Sequence, residues 1–132
     1  MTEADEDRFQ ALRRAHSGML GRIPNLKLDD LIAAFDGWHV EPVRIGEWIV
    51  GAFLHRGDEI HVAVEHMARG HWLTRQWLRT HVSPLLERHG TLKTSVSRDF
   101  RAGHEFVTRL GFERDREDAQ CTHYTLRKLR HA

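Results

Sequence analysis

The sequence predicts a mixed α/β domain: two N-terminal helices, an antiparallel three-strand meander, a long crossover helix, a parallel strand, a further helix and a C-terminal hairpin. Three observations carry this expectation. Apolar residues recur at helical spacing as far as Gly37, and the period changes to two from Trp38 onward. Three apolar runs then follow one another across short turns that contain glycine, as in a meander. A helix-like stretch from Trp72 to Gly90 separates these runs from "TLKTSV", and a connection of that length suits strands that lie parallel.

Length and composition narrow the class. A chain of 132 residues argues for a single domain, 1–132, large enough for a core without disulfide staples. Apolar content of 40% with 30% charged residues is that of a globular chain rather than a disordered one. The opening "MTEADEDRF" is acidic, unlike a secretory leader, and no apolar run approaches membrane-spanning length. Cys121 is the only cysteine, which excludes an internal disulfide and points to a reducing, cytoplasmic setting. A net charge of +1 disfavours a nucleic-acid partner, which would need residues such as Arg69, Arg75, Arg79 and Arg98 gathered on one face. His61, His66 and His71 are spaced by fives, which fits neither one helix face nor a zinc pattern, so no metal is expected. Ser83 precedes Pro84 and no Gly-x-Ser-x-Gly is present, so a nucleophilic serine is not indicated.

Each element has its own grounds. "DEDRFQALRRAHSGMLGR" reads as the first helix, with Phe9, Leu12, His16, Met19 and Leu20 as the apolar face and Gly18 and Gly21 weakening its end. "LKLDDLIAAFDG" reads as a short second helix with Leu28, Leu31, Ile32 and Phe35 as its stripe and Gly37 as its stop. "WHVEPVRI" is a strand suited to a sheet edge because of Pro42, and "WIVGAFLH" an inner strand because its apolar run is continuous. Trp38 and Trp48 are expected in the core or at a sheet edge. Arg56-Gly57-Asp58 reads as a hairpin turn rather than an adhesion motif. "EIHVAVEH" alternates, with Ile60, Val62 and Val64 on one face. In "WLTRQWLRTHVSPLLERHG", Leu78, Val82, Leu85 and Leu86 form the buried face, and Pro84 should kink or divide the helix. Trp72 and Trp77 are five apart, so one is expected buried and the other exposed. "HEFVTRLG" is a helix with Phe106, Val107 and Leu110 as its face and Gly111 as a left-handed stop. "FERD" and "CTHYTLRKL" form the last hairpin, turned at "REDAQ".

Two segments carry chemistry. "VEHMARGHWLT" places Arg69-Gly70 between a strand end and a helix, and "GHEFVTRLGFERD" places a helix and stop glycine before a strand. With the element order, these segments resemble the GNAT superfamily of N-acetyltransferases over about four-fifths of the chain. The resemblance implies that acyl-CoA lies along the strand end like an added strand, with its pyrophosphate on backbone amides at the following helix N-terminus. It implies acetyl-CoA as cosubstrate, an amine as acceptor, a carboxylate or bridged water as base and a tyrosine as acid. Cofactor contacts would fall on Val64, Arg69, Gly70, His71, Trp72, Leu73 and Thr74, and Glu65 is the candidate base. The family's loop pattern is departed from, since its first glycine falls on Trp72 and its second small residue on Thr74. Its tyrosine position falls on Val107, while Tyr124, the only tyrosine, lies on the last strand.

These departures imply an acetyltransferase-like protein with a degenerate pyrophosphate loop and weak or lost activity. The alternative is a non-catalytic structural or binding component with protein partners. The tryptophan-bearing loop and "LLERHG-TLKTSV" followed by "FVTRLGF" are similar to small proteins of tailed phages, which would place that alternative in a virion.

Overall fold

The computed structural model describes residues Thr2–Arg130. Among them, the elements run α1 (Glu3–Met19), α2 (Leu28–Ala34), β1 (His39–Ile45), β2 (Trp48–Arg56), β3 (Glu59–Val64), α3 (Arg75–His81), α4 (Ser83–His89), β4 (Leu92–Ser97), α5 (Arg101–Leu110), β5 (Glu113–Glu117) and β6 (Cys121–Leu126). A short 3-10 turn, His66–Ala68, follows β3. The strands form one mixed sheet in the order β1-β2-β3-β4-β6-β5. The chain divides into two compact units, one comprising Met1–Arg56 with His61–Trp72, the other Gly57–Ile60 with Leu73–Ala132.

In the first unit, Thr2 and Asp5 close a capping box that starts α1. The helix buries Ala11, Leu12, Ala15 and Gly18, not the face that periodicity suggests. Phe9 and Leu20 are exposed, and His16 is half-buried, donating from Nε2 to the Leu26 carbonyl at 2.6 Å. Small side chains explain the rotation. A stripe of alanines and a glycine lets the helix backbone approach the sheet, so close packing outweighs the burial of the largest side chain. At Gly18 a Cβ would overlap the Val64 carbonyl, so this glycine in the last turn of α1 serves close contact with the strand end.

Trp38, Ala52 and Leu54 join Ala11, Leu12 and Ala15 in this core. Phe35 meets Trp38 edge-on at 5.1 Å, and the Arg56 guanidinium lies 4.6 Å from the Trp38 ring centre. β1 and β2 pair antiparallel from His39↔His55 to Ile45↔Trp48, with a bulge between Val43 and Arg44. β1 is an edge strand, where the missing N–H of Pro42 is tolerated. β2 is buried on both faces from Val50 to Leu54, as its continuous apolar run requires. Trp48, expected in the core or at a sheet edge, stands at the hairpin end, 76% exposed.

In the second unit, Glu59 pairs in parallel with Lys93, whose N–H donates to the Asp58 carbonyl at 2.7 Å. β4 and β6 are antiparallel from Leu92↔Leu126 to Ser97↔Cys121. The expected long helix is two helices that meet at Val82, and it begins at Arg75 rather than Trp72. Pro84 lacks an N–H and clashes with the carbonyl four residues back, so it fits only the first turn of a new helix. Leu78, Val82 and Leu85 are buried, while Leu86 is half-buried. α5 buries Gly103, Val107 and Leu110. Phe106 is half-buried because the close contact runs through Gly103, where a Cβ would overlap the Phe100 ring and Val96. Gly111 ends α5 in the left-handed region with φ +114°, as the stop signal predicts. β5, "ERDRE", is exposed throughout, and its charges guard the second sheet edge. No helix among the described residues is long and apolar enough to cross a membrane.

Candidate functional site

The strand end and its loop are built stepwise along the chain. Val64, 8% exposed, is the last residue of β3. Glu65 turns the chain out of the sheet while its N–H still donates to the Val50 carbonyl at 2.8 Å. Its Oε1 accepts from Arg14 Nη1 at 2.7 Å, so the candidate base is held in an ion pair with α1. The 3-10 turn closes through the Ala68 N–H to the Glu65 carbonyl and the Arg69 N–H to the His66 carbonyl, at 3.0 and 3.2 Å.

A second turn follows at once. Arg69 has φ −60° and ψ 130°, Gly70 has φ +83°, and the His71 N–H donates to the Ala68 carbonyl at 3.0 Å. These values define a type II turn, which needs glycine at its third position. A Cβ at Gly70 would meet nothing within 4 Å, so backbone conformation, not crowding, demands the glycine. The Arg69 guanidinium reaches back to donate from Nη2 to the Gly18 carbonyl at 3.1 Å.

Trp72 is 7% exposed, so its ring is packed into the protein rather than held over the loop. Trp77 is half-buried and its ring lies tilted against His81 with ring centres 4.8 Å apart. Leu73 is half-buried and Thr74 is exposed. Thr74 is the N-cap of α3, and its Oγ1 accepts from the Trp77 N–H at 3.0 Å. The N–H groups of Arg75 and Gln76 are the first-turn donors that a helix leaves without an internal acceptor. The first turn of α3 holds no acidic residue. This end is therefore compatible with an anion, and α3, with seven residues, adds only a short dipole.

Groups for proton transfer are less available. Val107 is buried and has nothing to donate. Tyr124 is 4% exposed, and its hydroxyl lies 2.7 Å from His104 Nδ1. His104 Nε2 faces the carbonyls of Ser97 and Arg98 at 2.9 and 3.0 Å. Carbonyls only accept, so Nε2 carries the ring proton and the Tyr124 hydroxyl donates to Nδ1. The sole tyrosine is thus a tie between β6, α5 and the end of β4.

Asp118 forms a second polar knot in the β5–β6 turn. Its carboxyl is held well below the usual range, first by His123 at 2.7 Å and then by the Cys121 and Gln120 N–H groups at 2.8 and 2.9 Å. Among the described residues, no group of three or more histidine, cysteine or acidic side chains could hold a metal ion. No buried side-chain nitrogen or oxygen among them lacks a partner.

Sequence reading missed Arg14, Gly18 and His104. Gly18 left a signal, a glycine inside a helical pattern beside two alanines at helical spacing. Arg14 and His104 left none, because their partners are 51 and 20 residues away.

No protein-family model and no curated protein matches the chain by sequence. Solved structures do match. An acetyltransferase from Thermus thermophilus superposes with a TM-score of 0.70 at 16% identity, over 91% of this chain and 90% of that one. The PaiA N-acetyltransferase from Thermoplasma acidophilum, in complex with coenzyme A, gives 0.68 at 9% identity over 93% and 94%. A GNAT family acetyltransferase from Elizabethkingia anophelis with acetyl-CoA bound gives 0.62 at 11% identity over 86% and 90%. The chain has the GNAT fold. At these identities the likeness is one of architecture, and the GNAT fold by itself does not dictate chemistry.

Proposed function

We propose that this GNAT-fold protein binds acyl-CoA weakly through residues 64–74 and has little or no acyl-transfer activity. The observation that carries the reading is the contrast between its two halves. The strand end, glycine turn and capped helix follow one another as an anion-binding junction requires, yet Glu65 and Tyr124 are both engaged and Val107 is inert. Gly70 would let the backbone come close to the pyrophosphate, and Val64 would flank the pantetheine arm. The acyl-CoA itself would supply the activated thioester. The inward Trp72 ring leaves the loop uncrowded, although the pattern's two small residues are replaced. The structures of similar fold solved with coenzyme A or acetyl-CoA support this choice of ligand.

A second reading, a non-catalytic protein-binding component such as a virion part, is favoured by Met67. It stands 88% exposed in the 3-10 turn of this loop, where a large apolar side chain would suit a partner surface.

Calorimetric titration with acetyl-CoA at low and moderate salt, with thiol release assayed over a panel of amines, tests both. The expected result is binding that weakens as salt rises, with thiol release near background. Turnover above about 1 per second with any amine would overturn the loss of activity. Absence of binding at millimolar acetyl-CoA would overturn the first reading and leave the second.

A further inference from the structure

The loop is fastened to the last turns of α1 at three places. Gly18 lies against the Val64 carbonyl so closely that a side chain there would overlap it. Arg14 Nη1 donates to Glu65 Oε1 at 2.7 Å. Arg69 Nη2 donates to the Gly18 carbonyl at 3.1 Å, and Arg69 Nη1 lies 3.4 Å from His66 Nδ1. Residues 14–18 are thereby joined to residues 64–69 by one packing contact and two charge-assisted hydrogen bonds.

We propose that Glu65 and Arg69 are positioning residues, through which α1 sets the conformation of the turn that receives acyl-CoA. This inference rests on the reading that residues 64–74 bind that ligand. Gly18 is the residue before the end of α1, so its carbonyl is among the last four that lack an intrahelical partner. A guanidinium there satisfies the carbonyl and meets the negative end of the helix dipole. The same guanidinium is drawn towards α1, away from the role of a direct phosphate ligand. Glu65 sits where the chain leaves the sheet, and its bond to Arg14 fixes the angle at which the 3-10 turn begins. Because the turn and the end of α1 share these contacts, a ligand that orders the turn is coupled to the end of α1, and the coupling free energy is the same in either direction.

The test uses Arg14→Met, Arg69→Met and Arg69→Lys, with amide hydrogen exchange on the free proteins and titration with acetyl-CoA at two salt concentrations. Arg14→Met and Arg69→Met should each speed exchange at Ala68, Arg69 and His71 by about tenfold, leaving the amides of Thr94–Val96 and Thr122–Thr125 unchanged. Arg69→Lys should recover part of the protection. Both methionine variants should weaken acetyl-CoA by roughly three- to tenfold, the weight of one hydrogen bond, with the parent's salt dependence retained. Unchanged exchange at the three loop amides would overturn the proposal. So would a flattened salt dependence in Arg69→Met alone, since that marks a direct phosphate contact. Failure of the unaltered protein to bind acetyl-CoA would defeat the ligand assignment, and the exchange rates would still decide whether α1 sets the turn.

Discussion

Replacing Trp72 by glycine separates two accounts of the loop. If the pyrophosphate pattern fails because a bulky ring crowds the phosphates, glycine should restore acetyl-CoA binding. The structure argues otherwise, because the ring is 7% exposed and already turned inward. Its removal should cost about 3–5 kcal/mol in lost transfer energy and cavity. Glycine adds about 0.5–1 kcal/mol of backbone entropy. With an unfolding entropy near 2 cal/mol/K per residue, such a loss lowers the melting temperature of a chain this size by roughly 10–20 °C. Thermal unfolding followed by circular dichroism reads the shift, and titration with acetyl-CoA on the same sample reads the ligand. Destabilisation without tighter binding is the expected pair of results. A shift under about 2 °C, accompanied by new tight binding, would refute the inward-packing argument.

Other substitutions probe the remaining features. Gly111→Ala should destabilise by at least 1–2 kcal/mol, since φ is +114° and a Cβ would overlap the Lys128 carbonyl; urea unfolding measures it. Leu110→Ala should cost about 2–5 kcal/mol and exceed Phe106→Ala, because the leucine is buried and the phenylalanine half-buried; the reverse order would move the face of α5. Tyr124→Phe should cost about 1–3 kcal/mol by leaving His104 Nδ1 without its donor, and an unchanged melting temperature would show that the tie bears no weight. Asp118 has a lowered carboxyl value in the folded state, so its bonds stabilise the fold above the ordinary carboxylate range. That contribution is lost as pH falls through the lowered value. Asp118→Asn should therefore unfold earlier than the parent near neutral pH, with the gap closing in strong acid; a gap that is constant with pH would contradict the assignment.

How much the sequence carried differs from element to element. Element order, the edge position of Pro42, the division at Pro84 and the left-handed stop at Gly111 were all legible. Each follows from a local rule: the period of apolar residues, a missing N–H, or a backbone region open to glycine. The likeness to the GNAT fold was legible for the same reason, because it rests on order and on two short segments. The direction of Trp72, the rotation of α1 away from Phe9 and the exposure of Trp48 were not legible. Local spacing shows that a residue shares a face but not which face a neighbour covers, and the small side chains of Ala11, Ala15 and Gly18 settle that only once β2 and the end of β3 lie against them. The site divides the same way. Gly70 announced its turn, whereas the occupation of Glu65 by Arg14 and of Tyr124 by His104 arises from contacts across 51 and 20 residues. Such contacts have no period and no motif, so only the tertiary structure decides whether a candidate base or acid is already spoken for.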